Sequence, residues 1–293
     1  RLAHMLLASV LTVAFLIAGI SALRRLFGDR SETVAATLRF GILLAALAIP
    51  VQILIGDKHG LNTLEYQPSK VAAMEGHWET NPEGEGADFA LLAWPSQEKA
   101  RNTWELTVPN GLSLMYHFDT TSQITGLKEF PRENWPPVAI TFFSFRTMVV
   151  IGIFLMLVML LTVFFWIRRE LKPPAIQRHT GLLKLWLWSF PLAYIAVEAG
   201  WLTREVGRQP WVIYHYLRTE DAFSTLPAAA VGASLGAIVV VYAILLVVFF
   251  KMAIRIIRQG PDFESAVPDM QLPHRTKSGG EKNEAAQRSG TST

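Results

Sequence analysis

The chain has 293 residues, of which 51 % are hydrophobic and 17 % charged; a soluble domain carries about a quarter charged residues, so this composition belongs in a bilayer. The formal net charge of +3 is shared between opposite faces and argues against a nucleic-acid partner. Cysteine is absent, which excludes iron–sulfur ligation, covalently attached c-type haem and disulfides within this chain and leaves His, Met and carboxylates as metal ligands.

Five apolar runs, 2–23, 34–55, 138–166, 182–202 and 228–250, are each long enough to cross about 30 Å of hydrocarbon as a helix. The first begins beside Arg1 with no n-region before it, so it reads as the start of a truncated chain rather than as a signal peptide. Arg24, Arg25 and Arg30 fill the first connection, Arg168, Arg169, Lys172 and Arg178 the third, and Lys251, Arg255 and Arg258 follow the last span. The positive-inside rule puts all three in the cytoplasm. The connection 56–137 carries twelve acids against six Lys and Arg and so falls outside, together with 203–227. The expected organisation is two spans over 1–55, an extracytoplasmic loop over 56–137, three spans over 138–258 and a disordered cytoplasmic tail over 259–293. The fold class is an all-α polytopic membrane protein.

One polar stretch, GDKHGLNTLEYQPSKVAAMEGHWET over 56–80, organises the rest. Gly56, Asp57 and Gly60 are expected to end regular structure after the second span; Pro68 then suits the first turn of a short helix that Gly76 loosens. Lys70 and Glu75 are its chemical candidates. Five positions at about 100° each turn ~500°, so on a regular helix the two side chains diverge by roughly 140° and form no ready ion pair. A hydroquinone would suit them: an ammonium can donate to one ring oxygen while a carboxylate accepts the proton from the opposite one. The bland alternative is an amphipathic interfacial helix with ordinary surface charges.

Within the spans, His4 is the only one of seven histidines in an apolar run, and such a residue at a span edge is usually interfacial or hydrogen-bonded. Met148 lies in the outer half of the third span, where methionine ordinarily packs. Arg146 and Glu198 are intramembrane charges, each costing about 2.5–3.5 kcal/mol at the bilayer centre unless neutralised. They could pair with each other, as in a transporter or a haem-free scaffold; equally, an arginine can neutralise haem propionates and a carboxylate can ligate iron.

The polar stretch resembles the quinol-binding loop, the Q-loop, of subunit I of cytochrome bd-type quinol oxidases, with Gly56, Asp57, Gly60, Gln67, Pro68, Lys70, Ala72, Ala73, Glu75, Gly76 and Trp78 in place. Val197-Glu198-Ala199-Gly200-Trp201 and Gly207-Arg208-Gln209-Pro210-Trp211 are similar to further family motifs. The resemblance implies that Lys70 and Glu75 bind and oxidise quinol. It also implies that His4 and Met148 ligate a low-spin haem b with Arg146 beside it, and that Glu198 ligates a high-spin haem b. Electrons would end on haem d, or on a further haem b in its place, reducing oxygen to water in the inner membrane without a proton pump. Subunit II is the implied partner, with a small accessory subunit as a further one. The full subunit is expected to have nine spans, the first four lying upstream of His4 and carrying the remaining ligands, so this part alone is expected to be inactive. The short loop resembles the branch that includes cyanide-insensitive oxidases.

Overall fold

The computed structural model describes residues 2–168, 179–223 and 225–259, and five of its helices are long and apolar enough to cross a membrane. These are α1 (Leu2–Leu26), α2 (Glu32–Tyr66), α5 (Val138–Ile167), α6 (Thr180–Val206) and α7 (Ala228–Gln259). They match the five expected runs; four are extended at one or both ends by segments that include polar residues, and α5 by Ile167 alone. Apart from Gln259, the expected tail lies outside the described residues, as do Arg169, Lys172 and Arg178. Among the described residues, those up to 228 form one compact unit and 229–259, nearly all of α7, belong to a second.

In the first unit α1 packs against α2 and α6, and α5 packs against α6. The contacts rest on small residues, as expected where lipid tails are no less apolar than the helix faces and close backbone approach is what holds helices together. Gly41 of α2 shows this. A Cβ there would lie 2.8 Å from the Ala14 carbonyl oxygen and 2.8 Å from the Ala18 nitrogen of α1, so the crossing tolerates no side chain. Phe15 of α1 stacks on Trp186 of α6 at 5.0 Å between centroids. The Trp186 indole then donates to Thr162 Oγ1 of α5 at 3.0 Å, so a buried aromatic residue with a satisfied N–H links three helices.

Glycine does not break α2. The helix runs 35 residues to Tyr66, straight through Gly56, Asp57 and Gly60. A helical glycine costs about 1 kcal/mol relative to alanine, less than tertiary packing returns here. A Cβ on Gly56 would lie 3.1 Å from the His4 ring, and Gly60 faces the Tyr116 ring at 3.8 Å. Gly56 makes room for the His4 ring, and neither glycine marks a membrane exit.

The short helix appears as expected. Pro68 opens α3 (Pro68–Glu75), and Gly76 closes it in the left-handed conformation at φ 63°, its N–H returning to the Ala72 and Ala73 carbonyls. Every residue of α3 from Ser69 to Glu75 is buried. It is the centre of the loop's own core, with Trp78, Leu127, Trp135 and Val138 around Ala72 and Ala73, and Leu112, Tyr116 and Ile124 around Val71. An amphipathic surface helix is therefore excluded. The loop also contains β structure that the α-only expectation left out. Strands β1 (Phe89–Ser96) and β2 (Arg101–Val108) form an antiparallel hairpin, registered from Phe89 opposite Val108 to Ser96 opposite Arg101. Its Ala90 and Ala93 pack against Phe142 of α5. Helix α4 (Gly111–His117) follows the hairpin, and a second, smaller strand pair, β3 (Trp211–Ile213) with β4 (Leu217–Arg218), follows α6.

Candidate functional site

Helix α3 directs its two charged candidates onto different neighbours, as the turn angle between them requires. Lys70 points to the C-terminal end of α6, where its Nζ donates to the Arg204 carbonyl at 3.2 Å. That end carries unpaired carbonyls and the negative pole of the helix dipole, an apt seat for an ammonium. Gly207 makes the approach possible: a Cβ there would sit 2.4 Å from the Thr203 carbonyl oxygen and 3.1 Å from Lys70 Cε. The glycine of the GRQPW stretch thus serves the lysine of the loop, a link that no sequence spacing reveals.

Glu75 turns to α5 and α4. Arg146 Nη2 donates to its Oε2 at 2.7 Å and the Tyr116 hydroxyl donates to its Oε1 at 3.0 Å. Carboxylate, guanidinium and phenol are all buried. Such charge-assisted bonds are short and strong, and in a dry site they fix orientation as well as charge. Arg146 is held in turn. Its Nε and Nη2 both donate to the Ala90 carbonyl of β1, at 3.3 and 2.9 Å, and its guanidinium lies 4.7 Å from the Phe89 ring centroid and 4.8 Å from that of Phe142. The hairpin missed by sequence reasoning therefore completes the arginine's cradle. Burial, then the charge of Glu75, pushes the Tyr116 phenol well above the usual tyrosine range, so its proton remains available for donation.

The buried Arg–Glu pair considered from the sequence exists, but its acid is Glu75. Glu198 is exposed on α6 in an apolar groove of about 470 Å³ lined by Ile140, Phe143, Ile195, Ala199 and Leu202 among others. A scaffold built on an Arg146–Glu198 bridge has no basis in this geometry. His4 of α1 faces α2, with Gln52 Nε2 3.3 Å from its Nε2; its buried Nδ1 has no hydrogen-bond partner among the described residues. Met148 of α5 faces α6 at Gly200, where a Cβ would lie 2.9 Å from its Sδ. Beside Glu75 opens a polar cleft of about 840 Å³ bounded by His77, Trp78, Arg101, Asn102 and Glu105 among others. Desolvation lowers the His77 pKa, against the opposing effect of its hydrogen bond to the Ile124 carbonyl.

Comparison with known proteins fits this architecture. A family model described as cytochrome bd terminal oxidase subunit I matches residues 1–261. The chain belongs to that family. Similar proteins include the cytochrome bd-II ubiquinol oxidase subunit 1 of Escherichia coli, 29 % identical over 92 % of this chain and 64 % of the relative. Another is the putative cytochrome bd menaquinol oxidase subunit I of Bacillus subtilis, 33 % identical over 83 % of this chain and 53 % of the relative. The solved structure of the bd oxidase from Geobacillus thermodenitrificans superposes with a TM-score of 0.75 at 31 % identity, covering 88 % of this chain and 57 % of that one. This subunit I chain thus spans between half and two thirds of the length of the relatives it matches. With five apolar helices, it is a multi-pass bacterial membrane protein.

Tyr116 is the member of the site that motif reading missed. It lies in LSLMYH, and only the fold brings it 41 positions back to Glu75.

Proposed function

We propose that this chain supplies the quinol-oxidising part of a terminal respiratory oxidase that reduces oxygen to water. The observation that carries the reading is the arrangement of α3: an ammonium and a carboxylate, both buried, diverge from one short helix onto two rigid neighbours. Lys70 donates to one quinol oxygen and Glu75 accepts the proton from the opposite hydroxyl. The O–H bond breaks and its proton moves to a carboxylate oxygen as one electron leaves; Glu75 passes that proton to the adjoining cleft, and the second O–H proton and second electron follow in the same way, so that quinone, two protons and two electrons result. Arg146 holds the carboxylate in place before substrate arrives, so little reorganisation accompanies the transfer. The polar cleft beside Glu75 leads the proton away. By the charge asymmetry of the loops this release is extracytoplasmic, with the Q-loop over 56–137 on that side.

The donor set suits haem. His4 offers a ring with an unpartnered buried nitrogen, Met148 a thioether, and Glu198 a carboxylate at the edge of an apolar groove. His4 and Met148 would hold a low-spin haem b and Glu198 a high-spin one. Arg146 Nη1 makes no hydrogen bond among the described residues, and it would neutralise a propionate. Haem supplies one-electron redox chemistry when bound. Haem d, or a further haem b, would be held with residues outside this chain, and subunit II and a small accessory subunit are the partners.

The test is steady-state quinol oxidation by the complete oxidase. Glu75→Gln and Lys70→Ala should each lower turnover at least tenfold while the reduced-minus-oxidised haem spectrum is retained. Normal turnover in both variants would overturn the assignment.

A further inference from the structure

The carboxylate of Glu75 is gripped from two directions, and one of them is Arg146, the intramembrane charge singled out in the sequence. The second is Tyr116, whose hydroxyl is 3.0 Å from Oε1 while Arg146 occupies Oε2. The tyrosine is itself fixed: its ring is buried with Val71, Ala87, Leu112 and Ile124 and faces Gly60 of α2. A phenol held this way cannot swing off the carboxylate without opening the core of the loop. The charged and titratable groups facing the pair are Arg146 from α5 and Asp57 from α2; Lys70, on α3 itself, turns away to α6, and His77 and Glu105 line the adjoining cleft.

We propose that Tyr116 is a positioning residue for proton acceptance by Glu75. The phenol takes one lone pair of Oε1, as Arg146 takes one of Oε2, and so fixes the rotation of the carboxylate that receives the quinol proton. The inference rests on the reading of Glu75 as the proton acceptor. Its physical basis is that a hydrogen bond donated to a carboxylate stabilises the charged state, and that one from a buried neutral donor does so without adding a competing charge. Because its pKa lies far above neutrality, the phenol stays protonated and remains a donor across the working pH range.

Tyr116→Phe keeps the ring and deletes only the donor. In the complete oxidase we expect kcat to fall about tenfold with KM for quinol changed less than about twofold, the signature of a lost transition-state interaction. Haem spectra should be unchanged, and the carboxylate infrared band that disappears in Glu75→Gln should shift in Tyr116→Phe. A fall in kcat with an unshifted band would make the tyrosine merely structural and overturn the proposal. So would normal kinetics, provided Glu75→Gln is inactive. Full activity of Glu75→Gln would instead overturn the underlying reading of the site.

Discussion

Replacing Arg146 by methionine tests the electrostatic core of the structure directly. The substitution keeps most of the side-chain volume but removes the partner of Glu75 Oε2 and both donors to the Ala90 carbonyl. Breaking a buried ion pair from one side costs about 3–5 kcal/mol, because the remaining charge stays buried and unpaired. The Tyr116 bond survives and offsets only a small part of this, since a typical hydrogen bond contributes about 1 kcal/mol net. At 1.36 kcal/mol per decade, the open population of the loop should rise on the order of a hundred- to a thousandfold. Hydrogen exchange reads this locally, in the amides of the β1–β2 ladder and in Gly76 and His77, against α1–α2 amides as an internal reference. Adding Glu75→Gln to Arg146→Met removes the bare charge and should restore much of the protection, a non-additivity expected of groups in direct contact. Equal exchange in wild type and the single variant would refute the claim that this pair holds the loop on α5.

Three further outcomes follow from other parts of the structure. Gly207→Ala should displace Lys70, given the 3.1 Å approach of a Cβ to its Cε, and raise KM for quinol several-fold with haem content intact; an unchanged KM would detach Lys70 from the site. Met148→Leu should abolish or shift the low-spin haem signal in the spectrum of the complete oxidase, and an unaltered spectrum would remove Met148 as a ligand. Burial depresses the His77 pKa below 6.5, so the folded loop favours the neutral ring. That stabilisation is present above pH 6.5 and is lost as pH falls through the lower folded value. The Leu127 and Lys128 amides, which donate to the His77 and Trp78 carbonyls, should therefore lose protection on acidification below pH 6.5 after correction for intrinsic rates. His77→Gln should flatten the dependence.

Much of this molecule is legible in one dimension because the bilayer imposes a length. Runs of about twenty apolar residues specify spans whatever else surrounds them. Local chemistry likewise determined α3, with proline at its first position and a left-handed glycine at its end, and the helical turn angle alone implied that Lys70 and Glu75 form no ion pair with each other. Tertiary structure decided the rest. Gly56 and Gly60 read as breaks until His4 and Tyr116 are seen packed against them, because the sign of a glycine depends on its neighbours. The hairpin's apolar Trp104, Leu106 and Val108 alternate in the sequence, a signal overlooked beside the polar loop. The grip on Glu75 comes from residues 41 and 71 positions away; such pairings are determined by which helices pack together, and no local pattern encodes them.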